Sequence, residues 1–164
     1  MESSKDLRSR IVGKRFGVVG VGNALKGDDG AGPALIALLQ DKAPFPFVDA
    51  SEVPENYGGW VSKQGLDVVL FVDAVELGGA PGDWRLIGID ELMHSASSTH
   101  RLSLHFLIKY LKERWNGEAI LVGVQPKSLK LGEPLSPEVE AAIVELAGIL
   151  LEGQRLPKPS SDDS

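Results

Sequence analysis

Three residues, far apart in the chain, have the types and positions of a metal-binding or catalytic group. Asp29 follows the apolar run FGVVGVG (16–22), and Asp73 ends the apolar run DVVLFVDA (67–74). His100 heads a segment whose apolar residues recur at helical spacing, so its imidazole shares their inward face. Two carboxylates and one imidazole form a nitrogen–oxygen donor set that zinc, nickel and similar ions accept, with a position left for a substrate.

The elements expected around these residues alternate between buried strands and helices. Short apolar runs predict strands near 16–22, 44–50, 67–74, 84–89 and 118–125. Helices are predicted from Pro33, after Ser98 or Thr99 as the N-cap, and over 136–152. This alternation predicts an α/β domain in three layers (α/β/α), with a twisted, mostly parallel sheet of about five strands and helices on both faces.

The carboxyl ends of parallel strands form a common rim, where sites in open α/β sheets occur. The first strand delivers the loop that holds Asp29, and the third ends with Asp73. The second strand delivers Glu52 and Glu55 to the same rim. If the strands are parallel, we expect these carboxylates to lie near one another and near His100.

Each residue also has an ordinary structural explanation, which the sequence leaves open. Asp73 could satisfy a neighbouring turn, because buried carboxylates are usually hydrogen-bonded. Asp28 and Asp29 could only complement the dipole of the following helix. His100 could be a core histidine with a satisfied ring, and the glycines at 20, 22, 27, 30 and 32 could be plain turn formers.

Several other classes of protein are excluded by composition and by missing motifs. The 164 residues include no Cys and carry a net charge of −6, which argues against disulfides, thiol chemistry and nucleic-acid binding. No apolar run approaches the ~18 residues that span a bilayer, so a soluble cytoplasmic protein is expected. The third glycine of a dinucleotide fingerprint, a Walker lysine and a GxSxG elbow are all missing.

Four segments, in this order, resemble the hydrogenase maturation endopeptidases, which process the large subunit of nickel–iron hydrogenases. They are GVGNALKGDDGAGP (20–33), DVVLFVDAVELGGAPGDW (67–84), SSTHRLSLHFLIKYLKE (97–113) and GEAILVGVQP (117–126). The GDDG ending of the first segment, the STH of the third and SEVPEN (51–56) are most similar to the branch that serves formate-hydrogenlyase-type and other group 4 hydrogenases.

The resemblance implies a fold, a site and a reaction. It implies a peptidase domain, predicted over 15–152. The basic first residues predict a flexible arm (1–14), and the proline-containing last residues, which lack a core-forming pattern, predict a disordered tail (153–164). The residues that match the family's metal-contacting positions are Asp29, Asp73 and His100, which are also the expected catalytic residues. Expected substrate contacts come from the glycine-rich loop, at Asn23, Asp28 and Gly30.

The expected substrate is a nickel-loaded hydrogenase large-subunit precursor, from which one cut removes a C-terminal extension. The nickel belongs to this substrate, and the resemblance implies no permanently bound cofactor. The implied protein is a monomer without nucleic-acid or membrane partners. Two other functions stay open: a metal-independent acidic endopeptidase, and a non-catalytic assembly factor that reads the nickel loading of the precursor.

Overall fold

The structure is a computed structural model that describes residues 2–94 and 98–153. The described chain folds into five strands: β1 (Phe16–Val21), β2 (Phe47–Ser51), β3 (Val68–Ala74), β4 (Trp84–Ile87) and β5 (Glu118–Val124). Its α-helices are α1 (Glu2–Ile11), α2 (Ala31–Leu39), α3 (Gly58–Lys63), α4 (Ile89–His94), α5 (Arg101–Arg114) and α6 (Pro137–Gly153). Two 3₁₀ turns, Gly27–Gly30 and Pro54–Tyr57, follow β1 and β2. In the described part of the chain, no helix is long and apolar enough to cross a membrane.

The five strands form one sheet in the order β2-β1-β3-β5-β4. β1, β2, β3 and β5 run parallel, and β4 pairs antiparallel with β5 at the edge. Every residue of β1 and β3 is buried, which explains why these strands are apolar throughout rather than alternating. The predicted fold class, with about five mostly parallel strands, is confirmed.

Helices cover both faces of the sheet and enclose two apolar cores. One core joins the sheet to α1, α2 and α6, and includes Leu35 and Ile143. The other joins the opposite face to α3, α4 and α5, and includes Val61 and Leu104. The three predicted layers are therefore present, with α5 fixed to the sheet by the same apolar stripe that predicted it.

The first residues of the chain differ from the expected flexible arm. Glu2–Ile11 form α1, in which Leu7 and Ile11 are completely buried, while Arg8 contacts Glu152 of α6 at 3.3 Å. Leu7 and Ile11 are one helical turn apart, so a single face of α1 packs on the core although its other residues are charged or serine. The prediction of a solvated arm over these residues is wrong, because it was based on the charged residues and left out the apolar pair Leu7 and Ile11.

At the other end, the expected tail falls almost entirely outside the described residues, which end at 153. Gly153, assigned to that tail, is instead the last residue of α6 and is buried. An added Cβ there would lie 2.7 Å from Ile11 Cδ1, so the end of α6 packs closely against α1.

Two glycines allow α2 to begin directly against the sheet. A Cβ on Gly20 of β1 would lie 2.5 Å from the carbonyl oxygen of Gly32, in the first turn of α2. A Cβ on Gly32 would in turn overlap with the backbones of Val21 and Val72. The 3₁₀ turn that carries Asp29 directly precedes α2. The close contact between Gly20 and Gly32 therefore positions this turn at the carboxyl ends of β1 and β3.

Candidate active site

The structure brings together the three residues that the sequence singled out. One donor atom each from Asp29, Asp73 and His100 lies within 4.8 Å of the others. The exposed fractions of these residues are 2%, 0% and 5%. Because β1 and β3 are parallel neighbours, the loop after β1 and the end of β3 meet at the same rim, as expected.

Asp73 is the next-to-last residue of β3 and lies at the centre of the group. Ser98 Oγ donates a short hydrogen bond to Asp73 Oδ2, and His100 Nδ1 lies 3.3 Å from Asp73 Oδ1. The described residues offer this buried Oδ1 atom no hydrogen bond of good geometry, so its close partner is the His100 ring. A protonated imidazole pairs with this oxygen, and a bound metal cation would take the same place once the ring had lost its proton.

Asp29 is aimed at the group by the backbone of its own loop. Its Oδ2 accepts a hydrogen bond of 2.8 Å from the backbone N–H of Asn23. Gly22, just before Asn23, has a φ of +140° and faces the Asp29 carbonyl, which a side chain at this position would overlap. Gly22 is therefore more than a turn former, since it permits the close approach that fixes Asp29.

His100 occupies the N-cap position of α5, where Ser98 or Thr99 was expected. Its backbone N–H donates to Ser98 Oγ at 3.0 Å, and Ser98 in turn donates to Asp73. The predicted helix is present, but Ser98 links His100 to Asp73 instead of capping α5. The sequence predicts only a capping role for Ser98, because its link to Asp73 depends on a contact between residues 25 positions apart.

Glu52 and Asn23 cover the buried group on its solvent side. Glu52 Oε1 lies 3.5 Å from His100 Nε2, and Asn23 Nδ2 donates to Glu52 Oε2 at 3.1 Å. The Glu52 side chain is 49% exposed, in contrast to the three residues beneath it. The preceding residue, Ser51, has a positive φ of 50° beside an irregularity in the pairing of β1 and β2. This local distortion directs Glu52 over the site.

Asp28 is placed differently from what was expected. Its carboxylate accepts hydrogen bonds from the backbone N–H groups of Lys127 at 2.8 Å and Ser136 at 2.7 Å, and from Ser136 Oγ at 2.9 Å. It is 1% exposed, so it anchors its loop to the segment between β5 and α6. The prediction that Asp28 contacts substrate is wrong, because its acceptor positions are already used.

The other two expected substrate contacts lie near the group in different ways. Asn23 is partly buried and its side chain already bridges Glu52 and the backbone N–H of Leu25. Gly30 is buried, and a Cβ there would lie 3.1 Å from Ala24 Cα. Asn23 therefore borders the opening, whereas Gly30 supports the loop from within.

Comparison with known proteins decides the family. A family model described as hydrogenase maturation protease, HycI, matches residues 34–153, which is well over half of the chain. The chain belongs to the hydrogenase maturation protease family. The matched range includes Asp73 and His100, and Asp29 lies five positions before its first residue. The HycI match also fits the formate-hydrogenlyase-type branch that the sequence predicted.

Individual proteases of this family agree over most of the chain. The Hydrogenase 3 maturation protease of Escherichia coli is 33% identical over 126 residues, covering 75% of this chain and 80% of that protein. The crystal structure of HycI from Thermococcus kodakarensis, a [NiFe] hydrogenase maturation protease, gives a TM-score of 0.81 at 31% identity, over 90% of this chain and 97% of that one.

A second solved structure, the hydrogenase maturating endopeptidase HybD from Escherichia coli, gives a TM-score of 0.72 at 26% identity, over 86% of this chain and 92% of that one. The predicted family, fold and peptidase activity are therefore confirmed. The roles of Asp29, Asp73 and His100 in this protease stay predictions.

The charges around the protease site favour one proton bound by the pair of His100 and Asp73 at neutral pH. Burial lowers the pKa of His100, but the carboxylates of Asp73, Asp29 and Glu52 outweigh burial and raise it to about 9. Burial also raises the pKa of Asp73 above its ordinary value of 3.8, against the opposing effect of the His100 contact. We assign the shared proton to His100, because its ring faces three carboxylates while Asp73 accepts a hydrogen bond from Ser98.

We expect the His100 imidazole of the wild-type protein to titrate near pH 9 in an NMR pH titration. In Asp73→Asn we expect the His100 midpoint at a lower pH than in the wild-type protein, because the nearest carboxylate is removed while the ring stays buried. The ion pair stabilises the fold fully below pH 6.5, the ordinary histidine pKa, and this stabilisation is lost as pH rises through about 9. Asp90→Asn on α4 is the control and leaves the midpoint unchanged. A His100 midpoint below 6.5 in the wild-type protein would contradict the assignment.

Proposed function

We propose that this protease removes the C-terminal extension of a nickel-loaded [NiFe] hydrogenase large-subunit precursor, and that Asp29, Asp73 and His100 bind the nickel that the precursor carries. The observation that carries the proposal is the convergence of these three donors within 4.8 Å. The buried Asp73 Oδ1 faces His100 Nδ1 at 3.3 Å, which supports the proposal further, because a cation in place of the histidine proton would bind the same oxygen.

The donor set suits an ion that arrives with ligands of its own. Two carboxylates and one imidazole supply at most three positions, so the remaining positions are left for ligands from the precursor. The three donors lie beneath Glu52, whose contact with His100 Nε2 at 3.5 Å is long and whose side chain is half exposed. We propose that docking of the precursor moves Glu52 aside and opens the site to the nickel.

This arrangement supports hydrolysis mainly by position. Binding of the substrate's nickel to three residues on rigid elements would hold the adjoining peptide bond at the rim in one orientation. His100 must give up its proton to become a ligand, so docking releases a proton. A water molecule polarised by the ion would then attack the carbonyl carbon of the scissile bond and give a proton to one of the carboxylates of Asp29 and Asp73. The C–N bond breaks as that proton passes to the nitrogen of the leaving peptide.

Incubation with nickel-loaded and nickel-free precursor, read out by mass spectrometry, tests the proposal. We expect loss of the C-terminal peptide from the loaded precursor alone. Equal cleavage of both forms would refute nickel recognition and favour a metal-independent acidic endopeptidase. A stable complex without any change in mass would refute cleavage and favour a non-catalytic assembly factor.

A further inference from the structure

Exposed large apolar side chains are concentrated around the site. Among the described residues, seven of the nine lie on loops that leave the carboxyl ends of strands or on α5, the helix that begins after His100. These seven are Leu25, Val53, Leu102, Phe106, Tyr110, Leu129 and Leu131. The other two, Val12 and Val144, lie elsewhere on the chain. Such a concentration of apolar surface typically marks a region that binds a partner.

Three of the seven form a line along α5. Leu102, Phe106 and Tyr110 are spaced four residues apart, so they lie on one side of the helix. Leu102 is 57% exposed and Phe106 61% exposed, although residues 104, 107 and 111 of the same helix are buried. The line begins two residues after His100 and extends away from it for about two turns.

A groove of about 340 Å³ runs beside this line, between α5 and the segment formed by the turn Pro54–Tyr57 and α3. We call it the α3–α5 groove. Phe106, Leu107 and Tyr110 form an apolar wall, and Glu55 is the one charged residue among the described residues that line the groove. The groove is lined by Glu55 and Asn56, by Gly58 and Gly59, and by Phe106, Leu107 and Tyr110.

Two adjacent glycines give the groove its shape. A Cβ on Gly58 would lie 2.8 Å from the Tyr110 ring, so Gly58 lets α3 pack closely against α5. A Cβ on Gly59 would have no heavy atom within 4 Å, so the backbone at Gly59 borders open space. Gly59 lines the groove, so a side chain introduced there would add bulk at the groove without a clash at its Cβ.

We propose that the α3–α5 groove binds an apolar segment of the hydrogenase large-subunit precursor, with a Lys or Arg of that segment placed against Glu55. The proposal rests on the proposed function, which places the precursor over His100, where the line on α5 begins. Glu55 follows Glu52 by three residues and Phe106 follows His100 by six, so a precursor docked at the site would lie close to the groove. Glu55 complements a basic segment and disfavours a second copy of this chain, which carries a net charge of −6.

Two variants test the groove with steady-state cleavage of the nickel-loaded precursor. Gly59→Trp fills the groove, and Phe106→Ser removes the largest exposed apolar side chain of its wall. We expect each to raise KM about tenfold and to leave kcat unchanged, because each removes binding at a distance from the reacting bond. Matched controls on α6 are Gly148→Trp, where a Cβ also meets nothing within 4 Å, and Val144→Ser, which is 57% exposed.

The outcomes separate the groove from the activity. The groove proposal is refuted, and the proposed function stands, if the groove variants cleave the precursor with the wild-type KM. This outcome requires that the wild-type protease and both controls cleave the precursor. If the wild-type protease does not cleave the precursor, the proposed function itself fails. A dimer in sedimentation that Gly59→Trp converts to a monomer, with KM unchanged, would assign the groove to a second copy and also refute the proposal.

Discussion

Asp73→Asn is expected to lower kcat/KM for the nickel-loaded precursor by about a hundredfold or more, and Asp29→Asn and His100→Ala are expected to do the same. Asp73 contacts both Ser98 and His100, so the Asn amide would place an N–H group where the cation needs an oxygen. The loss of one of three donors removes the contact that orients the scissile bond. Cleavage followed by mass spectrometry gives the rate.

Two conservative variants act as controls for this experiment. Asp49→Asn changes an exposed aspartate of β2. Within the described part of the chain, the Asp49 side chain accepts one hydrogen bond, from the Ser51 N–H, and an asparagine can also accept it. His94→Ala removes an exposed histidine at the end of α4. Both are expected to cleave at the wild-type rate, and circular dichroism checks that the three site variants remain folded. Wild-type cleavage by His100→Ala would exclude the role assigned to that residue.

The meeting of Asp29, Asp73 and His100 could be predicted because each follows from a strong local pattern. Asp73 ends an apolar run too short for anything but a buried strand, and such strands are parallel in α/β proteins. Their carboxyl ends then share a rim, which brings the loop that holds Asp29 beside Asp73. The helical stripe of α5 settled which way His100 faces, since apolar residues on its side must point to the core.

The parts that could not be predicted depend on contacts between distant residues. Nothing near Asp28 in the chain indicates that its partners lie 99 and 108 positions later, so its carboxylate looked available for substrate. Leu7 and Ile11 are two apolar residues among charges, and only the presence of α6 and the sheet makes α1 stable. Glu52 was placed at the rim by its strand, but its position over His100 depends on the unusual backbone of Ser51.

Asp28→Asn is expected to lower the free energy of unfolding by about 3 kcal/mol, because hydrogen bonds to a buried carboxylate are among the stronger ones in proteins. The carboxylate accepts bonds from Lys127, Ser128 and Ser136, all of them through N–H or O–H donors. An asparagine keeps only one oxygen and turns an NH₂ group towards those donors. Urea denaturation measures the change, which corresponds to a fall in Tm of about 6–12 °C.

The same substitution at Asp49 separates this effect from a general loss of negative charge. Asp49→Asn leaves an oxygen for its one backbone partner, so we expect a change within about 0.5 kcal/mol. Asp28→Asn should also reduce precursor cleavage, because the loop that carries Asp29 is tied to the segment before α6 through this carboxylate. An unchanged urea midpoint in Asp28→Asn would mean that the loop is held by the glycine contact between α2 and the sheet alone, and that Asp28 is free for another role.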